Sequence, residues 1–414
     1  MVTKPFCMKT KCFFLILWSL FVRQAGAQVA PLDSNRLVVC YPAGIVPERL
    51  AVFRSLQQTY GVVMDDSLPR LRMQRWRFVS DAVRDSFVRK VWGRAAALTE
   101  RGTVILPSEE KKPRSRISSD SLKLLRSAAY WRDTFLHSCP NQAGNTLIKV
   151  SVIDCGMAST TQDSLLKRYC DLEKGRNFTS ESSWNDTEEN LHGTRVASVI
   201  AQIYDRLGMP TQSKILIFKA FNGSGEGDLW NILQAIDASI EQQVQIVNLS
   251  FNYQADLPAD GGIVRAKLVL EEAINTAKNY NILFVTAAGN NGVNTDLIPT
   301  KGYFSTNFDC ENLLKVTSDS VGIPTSFGNY GIRSVDIAAP GIVKGVGFKD
   351  SLVVSVGTSF AAPVVTAILA VEGSKMNVFD WRLAKAAILR RTQMLPAWVT
   401  KLKPTGGVLR PICD

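Results

Sequence analysis

The sequence predicts an α/β protein in which a doubly wound, mainly parallel sheet follows a small α+β domain. Nearly unbroken apolar strands alternate with amphipathic helices after residue 147, which is typical of a parallel sheet covered on both faces. A shorter strand–helix pattern occupies residues 36–106. A charged, serine-rich stretch without apolar period separates the two patterns at residues 108–121, and it indicates an exposed linker.

The first 27 residues have the composition of a secretory signal peptide. Three lysines precede an eleven-residue apolar stretch at 12–22, and the small residues Ala-Gly-Ala follow at 25–27. Eleven residues are too few to span a bilayer, which takes about 20, so no stable membrane anchor is expected. We therefore predict export after cleavage behind Ala27, with the periplasm, the cell envelope or the medium as the final compartment.

The net charge of +11 is unevenly distributed along the chain. Residues 28–116 carry 16 basic and 9 acidic side chains, whereas residues 117–414 carry 28 of each. The positive excess therefore lies near the N-terminus and forms no basic patch with a nucleic-acid-binding motif. Nucleic acid is not an expected partner.

The small domain is assigned residues 28–107, and the linker residues 108–121. The predicted elements are, in order, a strand at 36–41, a helix at 47–61, two strands within 62–79, a helix at 80–102 and a strand at 103–107. This order, β-α-β-β-α-β, is the split βαβ plan.

The large domain is assigned residues 122–414. Its predicted strands lie within 147–156, 214–221, 244–251 and 281–290. Its predicted helices lie within 194–208, 228–243 and 264–280. In sheets of this kind functional groups gather at the carboxyl ends of the strands, so the residues that follow each strand are the candidates for a site.

Four polar side chains stand at the ends of separate elements. Asp154 ends the first strand, His192 begins a helix, Asn290 follows a strand and Ser359 opens the last buried helix. An acid, an imidazole, an amide and a hydroxyl are the groups of a Ser-His-Asp hydrolase with an oxyanion-binding amide. Alone, Ser359 would more often be an N-cap and His192 a structural residue. We favour catalysis because all four side chains occur together. The chain has one other histidine, His137, so a triad has almost no alternative choice of base.

The chemistry explains why these residue types are needed. A serine hydroxyl becomes a nucleophile when a base removes its proton during attack, and histidine is the side chain that titrates nearest neutrality. A serine at a helix start places backbone N–H groups where an oxyanion would form. Gly357 would let a substrate backbone approach closely, and Pro363 is expected in the first helical turn, where its missing N–H costs little.

The motifs around these residues resemble those of the subtilisin-like serine peptidases, the subtilases, over about residues 147–410. The segments "VIDCG", "HGTRVASVIA", "AAGNNG" and "GTSFAAP" resemble the family's aspartate, histidine, oxyanion and serine motifs in the family's chain order. The resemblance implies a subtilisin-like fold and a serine endopeptidase with Asp154, His192 and Ser359 as triad and Asn290 at the oxyanion. It also implies polypeptide substrates, an acyl-enzyme intermediate and no cofactor for catalysis.

Further segments, "NGSGEG" and "VNLSF", resemble those that line the family's substrate cleft. The candidate substrate-binding residues are Gly223, Ser224, Gly225, Ser250, Phe251 and Asn252. By the same resemblance the small domain is a propeptide that inhibits its own enzyme and is cut off within the linker, so the chain is a zymogen and acts as a monomer. Structural calcium is compatible with the family, with its ligands unknown.

Several positions depart from the family's motifs. Cys155 replaces a serine or threonine, Leu191 stands where glycine is usual, and Arg195 and Ser198 replace a histidine and a glycine. None of these changes removes a catalytic group. Cys155 is interpreted either as a thiol packed beside the triad or as a disulfide partner of Cys170, and no metal-ligand set is assigned.

Two other functions remain open. A pseudopeptidase, locked by its leader, would be a binding protein on the same fold; the intact triad argues against it, and the departures around the cleft keep it open. An esterase or peptide ligase would keep the triad and change the reaction. A lipase-like esterase is expected to show G-x-S-x-G, which "GTSFA" does not fit, so peptide hydrolysis is preferred.

Overall fold

The structure is a computed structural model that describes residues 15–18, 35–40, 54–92, 104–105, 128–131, 141–158, 161–183, 191–251, 262–297 and 306–410. The chain divides into two compact units, Met1–Arg101 with Pro258–Val269, and Gly102–Leu257 with Leu270–Asp414. The predicted linker at 108–121 lies outside the described residues, as does the predicted signal peptide apart from 15–18. None of the described helices is long and apolar enough to cross a membrane.

The smaller unit is built on a four-stranded antiparallel sheet in the order β1-β2-β4-β3. Its elements are β1 (Leu15–Trp18), β2 (Arg36–Cys40), a helical segment at 54–59, β3 (Val63–Leu68), β4 (Met73–Arg77) and α1 (Asp81–Trp92). The ring of Phe87 in α1 lies 6.0 Å from that of Trp76 and 5.2 Å from that of Phe78. These aromatic contacts hold the helix on one face of the sheet.

The last predicted element of the small domain does not join this sheet. The first five elements follow the predicted order, but β5 (Val104–Ile105) pairs antiparallel with β9 (Glu226–Gly227), and both strands belong to the larger unit. The edge of β2 is covered by β1 instead, because an apolar strand from the predicted signal peptide satisfies the backbone groups of that edge.

The larger unit contains the doubly wound sheet that the sequence predicts. Its main sheet has the order β17-β18-β14-β12-β11-β10-β6-β8-β7, with β13 paired to β12. The strands are β6 (Val150–Asp154), β7 (Cys170–Asn177), β8 (Ile215–Lys219), β10 (Ile246–Leu249), β11 (Leu283–Ala287), β12 (Leu313–Ser320), β13 (Ile323–Pro324), β14 (Ile337–Pro340), β17 (Thr392–Gln393) and β18 (Gly407–Leu409). All pairs are parallel except β12–β13 and β17–β18.

Helices and a hairpin complete this unit. The helices are α2 (Ser164–Tyr169), α3 (His192–Leu207), α4 (Leu229–Glu241), α5 (Gly262–Ala277), α6 (Thr358–Ser374) and α7 (Trp381–Arg390). Residues 262–269 of α5 are assigned to the smaller unit and the rest of this helix to the larger one. The hairpin pairs β15 (Ile342–Val346) with β16 (Leu352–Val356). Local signals set the helix ends: the carboxylate of Asp228 accepts from Trp230 N–H at the start of α4, and Gly208 ends α3 at φ 72°.

The sheet changes its winding direction at β6. Strand β6 lies between β8 and β10, so the chain winds first to one side of β6 and then to the other. The crevice outside the carboxyl ends of the strands at such a switch point is where open α/β sheets bind their ligands. Asp154, the last residue of β6, therefore stands at the expected place for a site.

The helix that follows the hairpin, α6, lies in the core. Sixteen of its 17 residues are buried, and it packs against α3 and against β10, β11 and β12. An all-round apolar helix is stable only inside a protein, which explains why the sequence "FAAPVVTAILAV" forms one here despite its β-branched residues. Any side chain at the start of α6 is consequently held by the core.

The carboxyl group of Asp319, near the end of β12, is a source of pH-dependent stability. Burial raises the pKa of Asp319 from 3.8 to about 6, although Gly322 N–H donates to its Oδ2 at 2.9 Å. The folded protein therefore holds this proton more tightly than the unfolded chain. The stabilisation is complete below pH 4 and is lost as the pH rises through 6, a loss of about 3 kcal/mol.

We expect Asp319→Asn to remove this pH dependence, because asparagine is neutral and keeps an oxygen for Gly322. Urea unfolding at pH 4.5 and pH 7.5 measures the effect on the free energy of unfolding. The variant should be more stable than the parent at pH 7.5 and should lose less stability between the two pH values. An equal pH dependence in both proteins would contradict the assignment.

Candidate active site

Asp154 and His192 are joined at the centre of the site. The Nδ1 atom of His192 lies 2.8 Å from Oδ1 of Asp154, and both side chains are buried. Asp154 ends β6 and His192 is the first residue of α3, so the sheet supplies the acid and a helix start supplies the imidazole. A carboxylate on Nδ1 fixes the tautomer that leaves Nε2 as the basic nitrogen.

The carboxylate of Asp154 is held by its neighbours. Its Oδ1 also accepts from Cys155 N–H at 2.9 Å and from the Cys155 thiol at 3.2 Å. Gly193 N–H donates to Cys155 Sγ at 3.4 Å. A Cβ on Gly193 would lie 2.2 Å from the carbonyl oxygen of Gly156, so only glycine permits this approach of α3 to the end of β6.

Ser359 lies at the N-terminal end of α6, directly before a residue that packs on His192. It is the second residue of the helix and is 1% exposed. The ring of the next residue, Phe360, lies 5.3 Å from the ring of His192. The packing of Phe360 on the imidazole thus brings the serine and the histidine to the same end of the sheet.

Asn290 faces the same point from β11. Its Oδ1 accepts from Thr358 N–H at 2.8 Å and from the Thr358 hydroxyl at 2.9 Å, and these bonds orient the amide. Asn290 Nδ2 and Ser359 Oγ each lie 3.1 Å from the position that a Cβ would take on Gly357. An amide donor and a hydroxyl therefore converge on one small space beside Gly357, as an oxyanion site requires.

Pro363 lies deeper in the helix than expected. It is the sixth residue of α6 rather than a first-turn residue, so the Ser359 carbonyl loses the donor that an ordinary residue would supply four positions on. The Ser250 hydroxyl donates to that carbonyl instead, at 2.7 Å. Ser250 is in turn fixed by Asn248 Nδ2 at 2.8 Å, and Thr366 donates to Asn248 Oδ1.

This network gives the side chain of Ser250 a structural role. The sequence predicts it as a substrate-binding residue, but its side chain is completely buried and satisfies the Ser359 carbonyl. A buried carbonyl without a donor would cost about 1–3 kcal/mol. The hydroxyl of Ser250 therefore supports the Ser359 carbonyl from behind, and the substrate-binding role of Ser250 stays a prediction.

The predicted cleft residues at 223–225 form a tight turn. Gly225 N–H donates to the carbonyl of Asn222 at 2.9 Å, and Ser224 N–H donates to Asn222 Oδ1 at 3.0 Å. Gly225 has a φ of 74°, which favours glycine at this position. The turn leads directly into the edge strand β9.

The edge strand β9 is already paired with another strand of the chain, β5. Val104 pairs with Gly227 and Ile105 with Glu226 in antiparallel register, so the backbone of β9 accepts an extended segment. A Cβ on Gly227 would lie 2.5 Å from the ring of Phe221, and that ring lies 4.9 Å from the ring of Phe251.

The remaining cleft candidates differ in placement. Phe251 is 5% exposed and packs with Phe221 behind the edge strand. Asn252 lies outside the described residues. Gly223, Ser224 and Gly225 are the candidates whose backbone lies at the turn beside the edge strand.

The departures from the family's motifs have structural counterparts. Cys155 and Cys170 are both buried and are not joined by a disulfide, so Cys155 is the thiol packed beside the triad. Leu191 adopts the left-handed conformation at φ 53° where glycine is usual. The hydroxyl of Ser198 accepts from Val346 N–H at 2.9 Å, so a serine at this position ties α3 to the hairpin strand β15.

The site also contains the one cluster of metal-ligating side chains found in the described part of the chain. Asp154, Cys155 and His192 hold ligand atoms within 4.8 Å of one another. Calcium takes six to eight oxygen ligands, so a group with a thiol and an imidazole does not fit it. The cluster is explained by the hydrogen bonds that its members make with each other.

Two supporting groups were missed by the sequence reasoning. Thr358 orients the amide of Asn290, and its signal was present in the segment "GTS". Lys219 is completely buried beside Asp154, and its Nζ donates to the carbonyl of Cys155 at 2.8 Å. A lysine at the end of an apolar strand was the available signal for this second group.

Replacing Asn290 by alanine tests the oxyanion geometry. We expect kcat for peptide hydrolysis to fall by about 10²–10³-fold, since one preorganised donor is lost, while KM changes little. Steady-state kinetics of the Asn291→Ala variant, which changes the next residue along the chain, provide the comparison. Equal kinetics in the two variants would place the donor elsewhere.

Comparison with known proteins agrees with this geometry. The profile of the subtilase family matches residues 145–408. The major intracellular serine protease of Bacillus subtilis is 29% identical over 276 residues, 63% of this chain and 80% of that protein. The intracellular serine protease of Paenibacillus polymyxa is 28% identical over 308 residues, 71% of this chain and 86% of that protein.

Solved structures show the same fold. The epidermin leader peptide processing serine protease of Staphylococcus aureus superposes with a TM-score of 0.64 at 16% identity, covering 91% of this chain and 97% of that one. A lanthipeptide protease superposes with a TM-score of 0.55 at 20% identity, covering 71% and 94%. The predicted α/β fold and serine endopeptidase class are confirmed, and the chain belongs to the subtilase family.

Proposed function

We propose that this subtilase is exported as a zymogen and hydrolyses peptide bonds inside polypeptides through an acyl-enzyme intermediate. The observation that carries the proposal is the 2.8 Å contact between His192 Nδ1 and Asp154 Oδ1, with Ser359 at the adjacent helix start. The orientation of Asn290 by Thr358 adds a donor for the oxyanion. Catalysis in this family needs no cofactor, and the proposed steps use protein groups and water alone.

In the first half-reaction Ser359 Oγ attacks the carbonyl carbon of the scissile bond, and its proton passes to His192 Nε2. The carbonyl electron pair moves to the oxygen, which Asn290 Nδ2 and the Ser359 backbone N–H stabilise. The imidazolium, held by Asp154, protonates the departing amine as the C–N bond breaks. Water then attacks the acyl ester, gives a proton to His192, and the C–O bond to Ser359 breaks with the hydroxyl restored.

The substrate is an extended polypeptide that adds a strand to β9. The antiparallel pairing of Val104–Ile105 with β9 supports this mode, because the backbone groups of β9 pair there with an extended segment. The same pairing supports an inhibitory leader. A segment of the small-domain region occupies an edge that a substrate strand would need, and cleavage between 108 and 121 would allow it to leave.

Export is proposed from the N-terminal segment. The apolar stretch at 12–22 and the Ala-Gly-Ala that follows it support a secretory signal, whereas two of the relatives are named as intracellular proteases. The compartment is therefore tested by locating the mature protein and reading its N-terminus. We further propose that the mature enzyme acts as a monomer on polypeptide substrates.

Intact mass spectrometry over time tests the zymogen and the nucleophile together. Residues 28–414 and the Ser359→Ala variant are purified and incubated side by side. We expect the parent to acquire a new N-terminus within 108–121 while the variant stays whole. If both folded proteins stay whole, self-processing is rejected and the locked pseudopeptidase takes its place; if both are cut, another protease performs the maturation.

A further inference from the structure

A buried lysine, Lys219, lies next to Asp154 of the candidate site. Lys219 ends β8, its side chain is completely buried, and its backbone pairs with Asp154 in the sheet register. Its Nζ donates to the Cys155 carbonyl at 2.8 Å. A charged group out of water is strongly unfavourable unless an opposite charge accompanies it, so the position of its counter-ion matters to the site.

Glu181 supplies that charge and reaches a second group at the same time. Its Oε2 lies 3.2 Å from Lys219 Nζ. Its Oε1 accepts from the backbone N–H of Gly223 at 2.8 Å. The two oxygens of one carboxylate thus connect the end of β8, which pairs with Asp154 at the end of β6, to the turn that leads into the edge strand β9.

The loop around Glu181 is itself built to hold it. Asn177 Nδ2 donates to the carbonyls of Glu181 and Ser183 at 2.6 and 3.1 Å. Asn177 Oδ1 accepts from Thr179 N–H at 2.9 Å, and Glu181 N–H donates to the Thr179 hydroxyl at 3.3 Å. These contacts within 177–183 fix the backbone from which the carboxylate extends.

We propose that Glu181 is a positioning residue for substrate, which holds the turn at 222–226 so that β9 receives a polypeptide strand in register with Ser359. The proposal rests on the proposed peptidase function and concerns binding of extended substrates. Glu181 touches no reacting atom. Its loss should therefore weaken the binding of polypeptides and leave the reaction of a small acyl ester unchanged, because such an ester has no strand to place on β9.

Two substrates separate these effects on mature protein. Labelled casein measures polypeptide hydrolysis, and p-nitrophenyl acetate measures acylation and deacylation without an extended chain. We expect Glu181→Ala to raise KM for casein about tenfold, since a charge-assisted hydrogen bond is lost, with ester turnover unchanged. Glu181→Gln keeps one acceptor oxygen and the side-chain shape, so it should raise KM by less.

Glu241→Ala is the matched control. Glu241 also pairs with a cation, at 2.7 Å from Arg176, and is 35% exposed against 34% for Glu181. It should change neither substrate's kinetics. Thermal melting establishes whether each variant is folded. If Glu181→Ala does not fold, the casein and ester kinetics of Glu181→Gln decide the question.

The outcomes are distinct. A selective rise in the casein KM supports the proposal. Unchanged casein kinetics, or a parallel loss of casein and ester hydrolysis, would overturn it. Failure of the parent protein to hydrolyse either substrate would instead reject the peptidase function on which the proposal rests.

Discussion

Replacing His192 by alanine is expected to lower kcat for casein hydrolysis by about 10⁶-fold, the order found when the general base is removed from subtilisin-type sites. The reason is that the hydroxyl of Ser359 then has no base to accept its proton. His192 is the imidazole that the structure places against Asp154, at 2.8 Å. The measurement uses protein whose leader has been removed by limited proteolysis within the basic stretch 111–116, so that processing and turnover are not confused.

A matched control is available because the chain has only two histidines. His137→Ala should retain the activity of the parent. The kcat of Asp154→Asn should lie between those of His137→Ala and His192→Ala. We expect a loss of about 10⁴-fold, since the imidazole remains but its tautomer is wrong. A loss below about 100-fold for His192→Ala would show that another group acts as the base.

Replacing Gly357 by alanine is expected to reduce kcat/KM by about 10³-fold while the protein stays folded. At φ 150° an L side chain is strained. The added methyl group would lie 3.1 Å from both Asn290 Nδ2 and Ser359 Oγ, where the carbonyl oxygen of a substrate must enter. The variant should therefore bind a substrate oxygen poorly even though all three triad side chains remain.

Gly345→Ala is the control for crowding alone. A Cβ there would lie 3.1 Å from the Cβ of Arg195, which is the same closeness, but in the hairpin strand β15. We expect it to lower the melting temperature without a comparable loss of kcat/KM. If the two variants lose activity equally, the effect at Gly357 comes from general strain and not from the oxyanion space.

The sequence predicted the parts of the fold and site that depend on local patterns. Continuous apolar stretches and amphipathic spacing predict the strands and helices of the large unit, and the helices His192–Leu207 and Leu229–Glu241 lie close to the predicted ranges. Asp154 and His192 stand at element ends, where a parallel sheet brings chain-distant residues together. Periodicity and motif order were sufficient for these predictions, because each rests on neighbours along the chain.

Other features depend on pairings that no local pattern records. The strand at Val104–Ile105 has the same apolar sequence whether it closes the small sheet or pairs with β9. The hydroxyl of Ser250 is needed behind Ser359 because Pro363 has no backbone N–H to donate to the Ser359 carbonyl. Ser250 and Pro363 are 113 residues apart in the chain. Such partners are determined by packing in three dimensions, so no local pattern predicts that the hydroxyl of Ser250 supports the Ser359 carbonyl.

The deep burial of α6 bears on how this protease survives among copies of itself. Amide protons of a central helix exchange mainly when the whole unit opens, and cleavage by another molecule needs the same exposure. A molecule that exposes α6 has dispersed its own catalytic groups at that moment. Self-digestion within α6 is therefore expected to occur only in molecules that are already inactive.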